Sequence, residues 1–199
     1  MPTQNNQNDE LTKPSGIFIS DCGILFVPNE SKDNNDAKLN SLRMILNAVR
    51  EINCEMLKED IILTTSIAYG NFNYTSRFNH EYIEKNLLYG DAYIYAYFDN
   101  ENGLRGKSGQ CRIVNDEKIY ELIKNNKYKS GDILSLLLQN YNDSHRYYYY
   151  FYWMLKHPNP RDIKIFKTKY NHCLKNEFKW DCIKKLFENF NKCDDIHNF

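Results

Sequence analysis

Residues 89–103 read Tyr-Gly-Asp-Ala-Tyr-Ile-Tyr-Ala-Tyr-Phe-Asp-Asn-Glu-Asn-Gly. Their Tyr and Ala content suits either a helix or a strand. Gly90-Asp91 as a start and Asn102-Gly103 as a stop favour the helix. A helix here has strand-like runs before and after it, which is the intermixing of one α/β or α+β layer fold.

Working upstream, residues 16–29, GIFISDCGILFVPN, read as a hairpin: Ile17–Ser20, a turn at Asp21–Gly23, then Ile24–Val27 stopped by Pro28. Asp21 is the one carboxylate in this apolar run. It reads as a plain turn residue, since Asp and Gly are what tight hairpins want, or as a metal or nucleotide contact. Residues 29–36 are a polar loop ending in candidate helix caps, Asn35 or Asp36. Leu39, Leu42, Ile45, Leu46, Val49 and Ile52 then recur at three- and four-residue spacing, a helix that runs to about Lys58. IILTTSIAYG, 61–70, reads as a buried strand stopped by Gly70, and 71–82 as a short strand and a loop.

Downstream, CRIV (111–114) is a short strand. DEKIYELIKNN (116–126) is a helix capped by Asn115 or Asp116, and GDILSLLLQNY (131–141) reads as another short helix. YYYYFYWML (147–155) is a strand apolar on both faces, hence internal to a sheet. Pro158 and Pro160 introduce a long helix from about Arg161 to Asn191. The division expected is a disordered Asn/Gln-rich tail over 1–15, a folded domain over 16–157 and a helical extension over 158–199. No internal repeat is visible.

Composition narrows the functions. The 199 residues hold 26 basic and 26 acidic side chains, so no global charge draws the chain to nucleic acid or anionic lipid. Aromatics make up 15%, with sixteen Tyr, which favours a packed aromatic core. The six cysteines have no Cys-x-x-Cys spacing and no secretory h-region precedes them, which reads as reduced thiols in a soluble cytoplasmic protein. The longest uncharged apolar run, Tyr147 to Leu155, is about half the ~20 residues a membrane-spanning helix needs.

The order of these pieces carries a resemblance. Asp-Cys-Gly-Ile-Leu-Phe-Val (21–27), TTSIAYG (64–70), YGDAYIYAYFDNENG (89–103) and GQCRIVNDEKIYEL (109–122) follow one another as do the hairpin, strand, helix and strand–helix of class III nucleotidyl cyclases. The chain resembles that catalytic domain over about residues 16–125. The resemblance implies an α+β, ferredoxin-like and antiparallel-rich sheet with helices on one face and a C-terminal helix beyond. It also implies a site for Mg²⁺ or Mn²⁺ with a nucleoside triphosphate, the metals clamping the triphosphate for in-line displacement. Asp21 takes the hairpin position of a metal-binding aspartate. Asp91, Arg77 and Arg112 are candidate nucleotide contacts, with Arg105 and Lys107 as further triphosphate ligands.

The chain departs from the family pattern where that family keeps a ribose-orienting Asn and a charge-neutralising Arg. It has Ile94 and Phe98 there, Ile17 at a base-reading Lys position, and only fifteen polar residues where the first metal-binding strand belongs. The function implied is therefore a nucleotide-binding or regulatory signalling module with little or no catalysis alone, paired as a homodimer or as a heterodimer with a related domain. The alternative is an active nucleotidyl cyclase making a cyclic nucleotide and pyrophosphate at a dimer interface.

Three further constellations have plainer readings. His172, Cys173, Cys182, Cys193 and His197 lack the short paired spacing of a structural zinc site. YYYYFYW could stack bases as single-strand binders do, but such a run is more often a buried strand. Residues 155–192 hold ten basic against four acidic residues. That reads as the solvated face of a helix whose apolar side carries Ile163, Phe166, Tyr170, Leu174 and Phe178. A nucleic-acid-associated role for this basic helix is the third functional reading.

Overall fold

The computed structural model describes residues 13–19, 22–27, 34–80, 83–101, 108–114, 117–125, 128, 131–141, 147–157, 159–170, 181 and 183–187. It is an α+β protein. The opening hairpin forms as expected: β1 (Ser15–Ile19) pairs antiparallel with β2 (Cys22–Phe26), the Phe18 ring lying across Gly23 on the facing strand. It forms a two-stranded sheet of its own. Asp21 and Ser20, at its turn, lie outside the described residues.

Helix α1 (Asn35–Lys58) buries Leu39, Leu42, Leu46, Val49 and Leu57, the stripe its periodicity demands. Its cap is Asn34, one or two residues before the candidates Asn35 and Asp36. The Asn34 Oδ1 accepts from the N–H groups of Asp36 at 2.9 Å and Ala37 at 3.2 Å, satisfying donors that have no partner inside the helix.

The chain then enters a four-stranded sheet at β3 (Thr65–Ile67), a shorter strand than the run 61–70 suggests. A second hairpin intervenes, β4 (Asn73–His80) with β5 (Ile83–Tyr89), where a short strand and a loop were expected. Its first strand, NYTSRFNH, has too few apolar positions to show an alternation. The Phe26 ring packs on Phe72 at 4.7 Å and Tyr74 at 5.9 Å, tying the two hairpins together. Helix α2 (Asp91–Glu101) follows, confirming the helical reading of 89–103, then β6 (Cys111–Ile113) and α3 (Glu117–Lys124).

The segment 131–141 differs from its expected helix. One 3₁₀ turn, Ile133–Leu136, leads into β7 (Leu137–Tyr141). Ile133–Leu138 are all buried, so this apolar run has no polar face to reveal its period, and a short run of that kind does not distinguish strand from helix. Strand β8 (Tyr147–Phe151) then returns to the sheet, whose order is β3-β6-β8-β7. β8 is internal, as its two apolar faces require, pairing antiparallel with both neighbours; β3 and β6 run parallel.

The sheet has two unlike faces. Cys111 and Ile113 on β6, with Tyr149 and Phe151 on β8, face the main core. Tyr120 of α3 stacks near Tyr149 at 5.5 Å and the Arg50 guanidinium of α1 lies 5.7 Å over the Phe151 ring. Helix α4 (Pro160–Tyr170) closes this core, Phe166 meeting Trp153 edge-on at 5.9 Å and Phe187 at 5.8 Å. Trp153 donates its indole N–H to the Gly109 carbonyl at 2.9 Å. The part of the expected long helix beyond Tyr170 lies largely outside the described residues. The opposite face of the sheet carries Ser66, Arg112, Tyr148 and Tyr150. Among the described residues no helix is long and apolar enough to cross a membrane.

Candidate functional site

Helix α2 begins where the backbone turns sharply. Gly90 has φ +131, and a Cβ there would collide with the Asn71 carbonyl, so only glycine fits without strain. Asn71 also accepts the Ala92 N–H at 3.2 Å, and Gly90 accepts from Ile94 at 3.1 Å. These contacts fix the start of the helix, which packs against β3 and β5.

At about 100° per residue, the helix sorts its side chains the wrong way round for a core element. The small and polar residues Ala92, Ala96, Asp99 and Asn100 turn inward and are half-buried. Four of the five large ones face water: Ile94, Tyr95, Tyr97 and Phe98 are 44–51% exposed, Tyr93 is half-buried, and no residue of the helix is fully buried. The Tyr97 ring lies 6.2 Å from the half-buried Tyr93 and 5.9 Å from the exposed Phe98, so the rings pack against one another. Four half-exposed large side chains leave roughly 400 Å² of mostly apolar surface, in the range where a patch on a monomer is often functional. Its charges are Asp91 and Glu101, both exposed, one at each end; the helix has no basic residue.

A polar cluster holds the inner face. Ser66 and Arg112 are register partners on β3 and β6, and Arg112 is opposite Tyr150 on β8. Adjacent strands thus present these side chains in one row beneath α2. Arg112 Nε donates to Asp99 Oδ2 at 2.7 Å and its Nη2 to the Asp99 backbone carbonyl at 2.8 Å. Ser66 Oγ donates to the same carboxylate oxygen at 2.6 Å and lies 2.9 Å from the Asn100 side-chain oxygen position. One hydroxyl carries one proton, so the second contact is a hydrogen bond when Asn100 turns its amide nitrogen inward. The Arg112 guanidinium sits 4.7 Å over the Tyr148 ring, a cation–π contact. Burial pushes the Tyr150 phenol up, opposed by the neighbouring Arg112 charge.

The structure separates the residues singled out from sequence. Asp91 opens α2 and is exposed; Arg112 is buried and bonded to Asp99. Asp91 and Asp99 are eight positions apart on the helix, ~12 Å, so Asp91 and Arg112 are not brought together. Arg77 falls on β4, its side chain outside the described set. Asp21, Arg105, Lys107, His172, Cys173, Cys182, Cys193 and His197 also lie outside it. Among the described residues no group of three His, Cys, Asp or Glu side chains is placed to hold a metal. YYYYFYW is no surface platform: Tyr148, Tyr149, Phe151, Tyr152 and Trp153 are buried.

Asp99 and Ser66 were not anticipated. The sequence signal for Asp99 is a pair of polar residues, Asp99-Asn100, on the helix face opposite Ile94 and Phe98. Ser66 bonds a carboxylate already paired with arginine, and burial pushes the Cys111 thiol far above its ordinary range, so neither is activated. The cavity beside Gly109, Cys111, Tyr150 and Leu186 holds about 10 Å³, room for one water. What the arrangement does is fasten a helix by its polar side and turn its aromatic side outward. Compared with models of protein families, curated proteins and solved structures, the chain matches none.

Proposed function

We propose that the chain is a regulatory binding module whose docking surface is the outer face of α2, and that the partner it receives there is a cationic amphipathic protein segment. The observation that carries this reading is the reversal of the helix: Ala92, Ala96 and Asp99 face the sheet while Ile94, Tyr95, Tyr97 and Phe98 face water. An apolar stripe on the outside gains nothing for the monomer. Aromatic side chains bring large contact area with few rotatable bonds to lose, which suits an interface. Exposed carboxylates at both ends of the stripe, on a helix that carries no basic residue of its own, set the sign of the partner's charge. The test is hydrogen exchange of the chain with and without a synthetic helical peptide patterned with Leu and Lys. Protection confined to residues 91–101 and their neighbours supports the reading; no protection there contradicts it.

A second reading follows from element order. A nucleotidyl-cyclase-like module, holding a nucleoside triphosphate with Mg²⁺ or Mn²⁺, is supported by the succession of hairpin, α1, β3, α2, β6 and α3, with the β4–β5 hairpin inserted between β3 and α2. With Arg112 committed to Asp99, this reading relies on Asp21, Asp91 and Arg77. Thermal stabilisation by a nucleoside triphosphate with Mn²⁺ would support it. No stabilisation by any of ATP, GTP, CTP or UTP would count against it.

A further inference from the structure

The outer face of α4 is the chemical complement of the outer face of α2. On α4, Arg161, Lys164, Ile165, Thr168 and Lys169 are exposed, while Asp162, Phe166 and Tyr170 are buried. Ile165 is 54% exposed and is framed by Arg161 one turn before it and Lys169 one turn after it. The Lys169 ammonium lies 5.2 Å from the Tyr170 ring, which steadies it at the rim of this face.

We infer that this α4 face, on a second copy of the chain, is the segment that docks on α2, an inference that rests on the docking role just proposed for α2. The charges choose among the three ways two copies could pair these helices. Two α2 helices laid antiparallel set Asp91 against Glu101 at both ends. Two α4 helices set Arg161 against Lys169. Each arrangement opposes like charges, which disfavours it. Only α2 against α4 is neutralised at both ends, with Asp91 facing Lys169 and Glu101 facing Arg161 when the helices run antiparallel. The lengths agree. Asp91 to Glu101 spans ~15 Å of helix and Arg161 to Lys169 ~12 Å, and long basic side chains close that difference. Ile165 then sits over the stripe of Ile94, Tyr97 and Phe98.

Because each copy offers a different patch, the contact is head-to-tail. Copies add until a ring closes or a chain continues. The balanced charge of the whole molecule, 26 basic and 26 acidic, puts no general repulsion in the way.

Sedimentation of the full chain across a concentration series tests this. The wild-type protein should exceed its 23.8 kDa monomer mass as concentration rises, and less so in high salt. Reversing α2 alone (Asp91→Lys with Glu101→Lys) or α4 alone (Arg161→Glu with Lys169→Glu) should weaken association about tenfold or more. An equimolar mixture of the two reversed proteins should associate again, since each basic face then meets an acidic one. All four changes are at exposed positions, and Ile165→Asp provides an independent break on α4. A wild-type protein that stays monomeric, or reversals that leave association unchanged, would overturn the inference. If the monomer still binds the Leu/Lys peptide on α2, only the identity of the partner is wrong; if it does not, the docking role of α2 falls as well.

Discussion

Arg112 on β6 and Asp99 on α2 form an ion pair at 2.7 Å, their side chains only 3% and 6% exposed. The pair crosses from sheet to helix, and it anchors an element that buries no apolar residue completely. Removing one partner leaves the other charge buried without compensation, which costs about 3–5 kcal/mol, whereas exchanging both for apolar residues is often nearly neutral. Asp99→Ala should therefore lower the urea midpoint sharply. Asp99→Leu combined with Arg112→Met should recover most of the loss, and a double-mutant cycle reads the difference.

The outer face of α2 should behave in the opposite way. Ile94→Gln with Phe98→Gln replaces two half-exposed side chains by a good helix former. The stability of the isolated chain should change by no more than about 0.5 kcal/mol per site, while binding of apolar dye to the surface falls. A large loss of stability would mean that these residues belong to the core.

At acid pH the contact between α1 and the 3₁₀ turn should fail first among the groups whose titration is shifted. Arg43 Nη2 donates to Asp132 Oδ2 at 2.8 Å, with Nε 3.2 Å from both carboxylate oxygens, and the Leu134 N–H donates to Oδ1 at 3.1 Å. Burial alone would raise the Asp132 carboxyl, but the Arg43 and Leu134 hydrogen bonds overcome it and hold the group below its ordinary range. A depressed carboxyl stabilises the fold in full above the unfolded value of about 3.9, and that contribution disappears as pH falls through the lower folded value. Asp132→Asn should flatten the acid limb of the stability curve.

The alkaline limb should depend on Tyr128. Burial pushes its phenol up to about 12, and its hydroxyl donates to the Ile123 carbonyl at 3.0 Å. The folded state holds the neutral form, so stability is intact below the unfolded value of about 10 and declines as pH rises toward 12. Tyr128→Phe should cost about 1 kcal/mol at neutral pH and reduce the decline above pH ~10.

Elements whose residues face two different environments were legible in the sequence. The α1 stripe is regular because one side of that helix meets Leu134 and its neighbours while the other meets water. β8 was recognisable as internal from aromatic residues on both faces. Segment 131–141 was not, since the burial of all of Ile133–Leu138 erases the polar–apolar contrast that distinguishes a strand from a helix. The site was legible only in part. Arg112 attracted attention as a charge, yet its meaning depends on Ser66 in register across a parallel pair and on Asp99 from a helix. Spacing along the chain encodes neither relationship. The ambiguity of AYIYAYF was itself a signal: its apolar residues follow no inward stripe because they face outward.

The most direct measurement is a fluorescence anisotropy titration of the labelled Leu/Lys peptide into the wild-type chain and into Ile94→Gln/Phe98→Gln, at low and at high salt. A docking face of aromatic side chains bounded by carboxylates predicts saturable binding to the wild type, weaker in salt. The variant should lose about tenfold or more in affinity, as expected when two central apolar anchors are removed, with its fold intact. Equal binding by both proteins, or none by the wild type, would contradict the role assigned to α2.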